Sequence, residues 1–422
     1  MNKFLGYRCS ICKTEYLPGQ VTYICPKDGG NLDVELDIEL IRKTYQPEDF
    51  ASRTDASLWR YLPLLPVSEP PGGATPLHAA GGTPVYALPR LGAGLGLKQL
   101  WLKDESRNPT ASFKDRASAV VVARAQEIKA EVVVTASTGN AGAALAGMSA
   151  AIGQKAIIFA PKTAPPAKVA QLLVYGAKVI LVDGTYDDAF DLTIQASGEF
   201  GWYCRNTGYN PFTAEGKKTA AFEIWEWWET VHREWHEQTG TDIDHAPLTV
   251  FVSVGDGNII SGIHKGFKDL MALGWIERMP RIIGVQAEGS AAIANAFDAE
   301  TEHITPVSAK TLADSISVDL PRDGVRAVRA ARETNGTFVR VTDEAILEAI
   351  AGLGRMGVFA EPAGAAAYAG LVKAAGMGLV GGEDPVLVLN TGSGLKDVRA
   401  AMQVVKEAPV IEPTLEAVKK LV

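Results

Sequence analysis

Short apolar runs rich in β-branched residues recur along the chain, and longer helical patterns separate most of them. These runs are Val132–Thr135, Ala156–Phe159, Val179–Val182, Thr249–Val254, Ile282–Val285 and Val386–Leu389. Near-continuous apolar strands that alternate with helices are typical of parallel sheets covered on both faces. The pattern therefore predicts an α/β fold with parallel sheets.

Length and composition narrow the class of protein. A chain of 422 residues is long enough for two sizeable domains and a minor third. The net charge of -8, with no basic stretch to offset it, argues against a nucleic-acid partner. No apolar run approaches the length of a membrane span. The N-terminus lacks the apolar core of a signal peptide, so we expect a cytoplasmic protein.

One segment, 108–116, reads Asn-Pro-Thr-Ala-Ser-Phe-Lys-Asp-Arg and lies between a predicted strand at 100–102 and a helix predicted to begin near Phe113. Ser112 is in the position of the helix N-cap. Lys114 then falls in the first turn, where the helix macrodipole disfavours a cation unless its amine is neutral or bonded. A lysine that forms a Schiff base meets this condition. A surface lysine is the alternative.

Two glycine-rich turns each follow a strand and open a helix. They are Ser137-Thr138-Gly139-Asn140 and Gly255-Asp256-Gly257-Asn258-Ile259. Small residues allow a ligand to approach the backbone closely, and a helix N-terminus offers free N–H donors. The second turn has the form of an anion-binding nest, for which a phosphate dianion is the natural guest. Tight turns without a ligand are the alternative for both.

The N-terminal segment carries a possible metal site. Its candidate ligands are Cys9, Cys12, Cys25 and Asp28. Three thiolates and a carboxylate can complete the tetrahedral coordination of zinc. A bound zinc ion and a ribbon that keeps its shape without metal are both open. Four cysteines in so long a chain do not suggest a disulfide framework.

Taken with Asn390–Asp397 (Asn-Thr-Gly-Ser-Gly-Leu-Lys-Asp) and Gly73–Leu77 (Gly-Ala-Thr-Pro-Leu), these motifs resemble the pyridoxal-phosphate enzymes of fold type II, the tryptophan synthase β type. Within that group the chain resembles the threonine synthase family. Many members of that family carry a fourth cysteine where this chain has Asp28.

The resemblance implies a role for each motif. Lys114 would carry the aldehyde of pyridoxal 5'-phosphate and act in catalysis. Glu361 would position the cofactor ring or transfer protons, and a carboxylate that stabilises a helix N-terminus is its alternative. The implied cofactor-binding residues are Lys114, Asn140, Gly255, Gly257, Asn258, Ile259, Glu361 and Thr391. The implied substrate-binding residues are Ser137, Thr138, Gly139, Thr207 and Lys217.

The resemblance also implies a domain plan. Residues 1–35 would form a zinc-ribbon-like segment, 36–107 with 213–422 a large cofactor-binding domain, and 108–212 a smaller α/β domain. The cofactor would lie in the cleft between two parallel-sheet domains. The expected partners are a small amino-acid substrate and a second copy of the chain in a homodimer.

The implied reaction converts O-phospho-L-homoserine and water to L-threonine and phosphate. One departure bears on the substrate, because Thr213 stands where the family has an arginine that binds the substrate's phosphate. An ammonia-lyase or β-replacement enzyme acting on serine, threonine or O-phosphoserine is therefore an alternative. A homologue that binds pyridoxal phosphate without turnover is another.

Overall fold

The computed structural model of the chain describes residues 3–51, 53–239 and 247–421. Its strands are β1 (Phe4–Cys9), β2 (Glu15–Tyr16), β3 (Leu32–Leu36), β4 (Val85–Ala87), β5 (Leu100–Asp104), β6 (Val132–Ala136), β7 (Lys155–Pro161), β8 (Lys178–Val182), β9 (Tyr203–Cys204), β10 (Thr249–Ser253), β11 (Arg281–Ala287), β12 (Thr337–Val341) and β13 (Val386–Asn390).

The helices complete the set of elements. They are α1 (Ile38–Thr44), α2 (Glu48–Ala51), α3 (Pro89–Leu95), α4 (Lys114–Glu127), α5 (Asn140–Ala151), α6 (Pro166–Val174), α7 (Tyr186–Phe200), α8 (Phe212–Thr239), α9 (Asn258–Leu273), α10 (Ala292–Asp298), α11 (Gly324–Glu333), α12 (Asp343–Gly354), α13 (Pro362–Gly376), α14 (Val398–Met402) and α15 (Leu415–Lys419). Short 3-10 turns include Glu105–Arg107, Asp314–Ile316 and Gly394–Lys396.

Two of the sheets are built from the predicted apolar runs. The larger has the order β12-β11-β10-β13-β5-β4, and only β4 at its edge runs antiparallel to its neighbour. The smaller has the order β8-β7-β6-β9 and is parallel throughout. The prediction of an α/β fold with parallel sheets is confirmed. The central strands are buried along their whole length, as expected for strands covered on both faces.

A third sheet, β2-β1-β3, is antiparallel and lies at the N-terminus. Its third strand, Leu32–Leu36, shows alternating burial. Its apolar residues face the core and its acidic residues do not, which is the period of a half-buried strand.

Helix α8 is the longest, and it packs against α4 and α9 in the core between the sheets. Phe222 and Trp225 on its inner half are buried, as predicted for this aromatic stretch. Trp227 and Trp228 are half-buried and lie edge-on to Trp101. Among the described helices, none is both long enough and apolar enough to cross a bilayer.

Candidate active site

The two parallel sheets direct the carboxyl ends of β6, β10 and β13 at one cavity of about 850 Å³. Open α/β sheets bind their ligands at this end of the strands. Every cofactor-binding and substrate-binding residue predicted above lines this cavity. The motifs are therefore brought together in space, although up to 277 positions separate Lys114 from Thr391. Their individual roles remain predictions.

The turn that carries Lys114 differs from its predicted form. Ser112 is not the N-cap, because Phe113 holds that position and no side chain caps the helix there. Ser112 instead forms a β-bridge with Gly392. The Phe113 amide donates to the Thr391 carbonyl at 2.9 Å. Backbone pairing with the loop after β13 thus outweighs local capping, and it fixes the lysine turn directly against the loop of Thr391.

Lys114 is half-buried in the wall of the cavity, at the first position of α4. Burial lowers the pKa of its amine, and the nearby charge of Arg205 lowers it further. This environment favours the neutral amine, which is the form that a Schiff base or a general base requires. The electrostatics of the site agree with the reason given above for a lysine at a helix N-terminus.

The turn Gly255–Asn258 forms a cup at the N-terminus of the 16-residue helix α9. Gly257 has φ +89°, and a Cβ there would lie 2.6 Å from the carbonyl oxygen of Asp323. Only glycine therefore fits this left-handed position, and a turn of this kind at a helix N-terminus can form an anion-binding nest. Lys217 reaches the cup from α8, and its amine donates to Asn258 Oδ1 at 2.5 Å. These residues provide donors and positive charge suited to a phosphate group.

Asn140 and Glu361 meet on the opposite wall, where Asn140 Nδ2 donates to Glu361 Oε1 at 2.6 Å. Glu361 is the N-cap residue of α13, but its side chain makes no capping bond. Burial raises the pKa of its carboxyl. A buried carboxyl that turns away from its own helix favours a role in the cavity over a role in helix capping.

Arg205 is a residue that the sequence reasoning did not select. Its guanidinium is fully buried and donates from Nη1 to Thr207 Oγ1 at 2.6 Å. A guanidinium cannot accept a hydrogen bond, so the Thr207 hydroxyl is left to donate its own hydrogen elsewhere, and Thr207 lines the cavity. Arg205 Nη2 has no partner in the described part of the chain. Thr213, by contrast, bonds back to the Asn210 carbonyl and does not line the cavity.

Three basic side chains therefore lie at this end of the cavity: Lys114 and Lys217 line its wall, and Arg205 is buried behind Thr207. Burial lowers the pKa of Lys217 well below its usual range, with the charges of Lys114 and Arg205 adding to the effect. Burial likewise lowers the pKa of Arg205 to about 10. Over the described residues none of the three has an ion-pair partner. The carboxyls of Asp256 and Glu361 also line the cavity and act on these groups electrostatically, but neither forms an ion pair with them, so their donors are available to an anionic ligand.

Other parts of the wall were not selected as site residues from the sequence, although Lys396 belongs to the Asn390–Asp397 motif. They include Lys168 of α6, Tyr186 of α7, Lys396 and the loop from Asp314 to Arg322. For the loop from Asp314 to Arg322 the sequence offered one signal, the long connection between α10 and α11. Long loops inside compact domains are often functional.

The predicted metal ligands Cys9, Cys12, Cys25 and Asp28 lie together in the N-terminal sheet, with one ligand atom from each within 4.8 Å of the others. The Sγ atoms of Cys12 and Cys25 are 3.7 Å apart. Two thiolates at about 2.3 Å from a tetrahedral zinc ion are about 3.8 Å apart. All the cysteines are free. The chemistry of the donor set and the spacing of Cys12 and Cys25 fit zinc.

Comparison with known proteins extends this picture. Residues 77–392 match the family described as pyridoxal-phosphate dependent enzyme. The chain is 38% identical over 417 residues to a threonine synthase of Methanocaldococcus jannaschii, covering 98% of each chain. It is 36% identical to a threonine synthase of Methanosarcina acetivorans, again over 98% of each. The solved threonine deaminase isoform 2 of Solanum lycopersicum shares the fold, with a TM-score of 0.64 at 22% identity, covering 81% of this chain and 92% of its own.

Proposed function

Because the chain belongs to the pyridoxal-phosphate-dependent enzymes of fold type II and, within them, to the threonine synthase family, we propose that it converts O-phospho-L-homoserine and water to L-threonine and phosphate. The observation that carries the proposal is the group of basic side chains Lys114, Lys217 and Arg205 at one end of the cavity, none of which forms an ion pair within the described residues. The reaction needs two phosphate groups in one cavity, one on the cofactor and one on the substrate, and these side chains supply donors and charge suited to them.

The residues of the cavity fit pyridoxal phosphate. The Lys114 amine, whose neutral form is favoured, suits the cofactor's aldehyde. The glycine cup at a helix N-terminus suits its phosphate, and the uncharged hydroxyl of Thr391 suits its ring nitrogen. The bound cofactor supplies the electron sink that makes the carbon-bound protons of an amino acid acidic. In the proposed assignment Asn140 faces the ring, and Glu361 holds the Asn140 amide through their hydrogen bond.

The substrate lies between two walls in this proposal. Ser137, Thr138 and Gly139, at the N-terminus of α5, bind its α-carboxylate through backbone N–H groups and hydroxyls. Thr207, oriented by Arg205, donates to its phosphate, and Lys217 adds charge from the side of the cup. Arg205 thus acts through Thr207 in place of the arginine that position 213 lacks.

Lys114 moves the protons. Its Nζ removes the α-proton and then a β-proton, phosphate leaves from Cγ, water adds at Cβ, and the lysine returns protons to the product. An amine can serve as base and then as acid when its pKa lies near the working pH, and burial together with Arg205 lowers that of Lys114 from the ordinary lysine value.

The test is a paired assay on the purified, cofactor-loaded protein. With O-phosphohomoserine supplied, we expect inorganic phosphate and threonine to appear in equal amounts. Absence of both products, with cofactor bound, would contradict the proposal. The turned-away Thr213 favours one rival in that case, an ammonia-lyase or β-replacement enzyme, and release of a 2-oxo acid from serine or threonine would identify the lyase.

We further propose that Cys9, Cys12, Cys25 and Asp28 bind zinc. The position of Asp28 supports this proposal, since hydrogen bonds from the amides of Gly30 and Cys12, at 2.9 and 3.1 Å, hold its carboxylate beside the cysteines. Metal analysis of the purified protein should find about one zinc ion per chain, and less than about 0.1 would contradict the assignment.

A further inference from the structure

The N-terminal sheet contributes no residue to the wall of the cavity, yet a chain of ion pairs and hydrogen bonds joins it to the phosphate cup. The chain starts at Asp33 on β3, whose carboxylate accepts from Arg326 Nη1 of α11 at 2.8 Å. Arg326 then donates from Nε and Nη2 to the two oxygens of Asp323, each at 2.7 Å. This bidentate pair is nearly buried, with Arg326 10% and Asp323 0% exposed.

Asp323 is also bonded to the cup itself. Its Oδ2 accepts from Asn258 Nδ2 at 2.6 Å, and its amide donates to the Asp256 carbonyl at 2.9 Å. Its own carbonyl oxygen lies 2.6 Å from the position that a Cβ on Gly257 would occupy. One residue outside the cavity therefore touches three consecutive residues of the cup.

The orientation of the Asn258 amide follows from its partners. Lys217 can only donate and the Asp323 carboxylate can only accept, so Asn258 must turn Oδ1 to Lys217 and Nδ2 to Asp323. The position of the Lys217 amine thus depends on Asp323, and Asp323 depends on Arg326 for its counter-charge. Burial would raise the pKa of Asp33, but Arg326 outweighs burial and holds it at about 2, so the outer end of the chain stays charged at neutral pH.

A second tie runs from the same sheet. Asn31 donates from Nδ2 to the carbonyls of Gly208 and Arg322, at 2.5 and 2.9 Å. Gly208 follows the cavity residue Thr207, and the Arg322 amide donates to Asp256 Oδ1 at 3.3 Å. The N-terminal sheet therefore holds the cup at two separate points.

We propose that Asp33, Arg326 and Asp323 are positioning residues that hold Asn258 and Lys217 in the geometry that binds the cofactor's phosphate. The N-terminal sheet is in this view a part of the cofactor site that acts without touching the cofactor. The inference rests on the proposed assignment of the cup to the phosphate of pyridoxal phosphate.

The test compares two ligands that differ only in the phosphate. Dissociation constants for pyridoxal 5'-phosphate and for pyridoxal are measured by visible absorption on the full chain, after removal and return of cofactor, for the wild type, Arg326→Met and Asp33→Asn. We expect Arg326→Met to weaken binding of the phosphate form about tenfold, because a buried charge-assisted contact is lost, and Asp33→Asn to weaken it about threefold. Binding of pyridoxal should change less than about twofold.

Arg329→Met is the matched control. Arg329 lies one turn further along α11 and also contacts the N-terminal segment, through the Ser10 carbonyl, but it pairs with Glu302 and not with Asp323. It should leave both dissociation constants unchanged. Equal weakening of both ligands, or the same selective loss in Arg329→Met, would overturn the proposal. If Arg326→Met does not fold, Asp33→Asn decides the question by the same criterion.

The wild type separates failure of this inference from failure of the assignment beneath it. A wild-type protein that binds pyridoxal as tightly as its phosphate would overturn the cup assignment and this inference with it. The product assay with O-phosphohomoserine reports on the proposed reaction independently of either result.

Discussion

Two basic residues of α4, Lys114 and Arg116, are only two positions apart, but their side chains have opposite electrostatic environments. Arg116 is fully buried, and it donates to Glu105 at 2.7 Å and to Glu223 at 2.6 Å. Lys103 joins the same cluster, 2.7 Å from Glu223. Lys114 lies at the start of the helix with its pKa lowered and without an ion-pair partner over the described residues.

The difference separates structural charge from functional charge. A buried cation without an anion is costly, and folding normally satisfies it within the chain, as around Arg116. Lys114, Lys217 and Arg205 form no ion pair within the described residues, and under the proposed function anionic ligands complete their charge balance. Lys114 and Arg116, in the same turn of α4, thus have different roles in this account. Arg116 belongs to the charged cluster that stabilises the fold, and Lys114 to the group proposed to bind ligands.

The largest expected effect on activity comes from replacing Lys114, which forms no ion pair within the described residues. Lys114→Ala should lower the rate of threonine formation by about 10³-fold or more, because under the proposed function it removes the amine that bonds the cofactor and moves the protons. The visible absorption of the bound cofactor should be lost as well, while far-UV circular dichroism stays unchanged. A variant that retains the absorption band would contradict the assignment of Lys114.

Replacing Arg116, which is paired with Glu105 and Glu223, should instead lower the stability of the fold. Arg116→Met leaves Glu105 and Glu223 buried with Lys103 alone, so we expect the free energy of unfolding to fall by about 3–5 kcal/mol. Urea unfolding of the wild type and the variant gives this difference. The double variant Arg116→Met/Glu105→Gln should recover part of the loss, since it removes one unpaired charge, and a loss below about 1 kcal/mol in the single variant would refute the comparison.

A smaller effect concerns pH. Because folding lowers the pKa of Lys217 below the ordinary value of 10.5, the unfolded chain binds more protons in the window between the two values. The free energy of unfolding should therefore rise with pH across that window in cofactor-free protein. Lys217→Met should show a shallower rise between about pH 7 and pH 10, by about 1 kcal/mol or more in total. Parallel curves for the two proteins would show that Lys217 is not perturbed.

Much of the fold was accessible from the sequence. The apolar runs predicted the central strands of both parallel sheets, because a strand buried on both faces needs apolar residues at every position. The short edge strands β4 and β9 were missed, since they have few residues and take their pairing from neighbours. Strand β12, Thr337–Val341, is rich in β-branched and aromatic residues, a strand signal that the sequence analysis did not use.

The candidate site likewise contains residues that were selected from the sequence and residues that were not. Motif residues such as Asn140 and Thr391 line the cavity as predicted, because turns at strand ends converge in a parallel sheet. Ser112 was misassigned as a cap, since its pairing with Gly392 depends on a loop far along the chain. Arg205 was missed because its position is defined by Thr207 and by the absence of a carboxylate, and sequence shows neither.

The central claim is that Lys114, Lys217 and Arg205, which form no ion pair within the described residues, serve to bind phosphate groups. Thermal unfolding of the holoenzyme in inorganic phosphate tests this claim most directly. Phosphate should raise the midpoint in a saturable way, by about 2–5 °C beyond sodium chloride of equal ionic strength. In Arg205→Met most of this increase should disappear. An increase no larger than that produced by sodium chloride, or an equal response in Arg205→Met, would contradict the account.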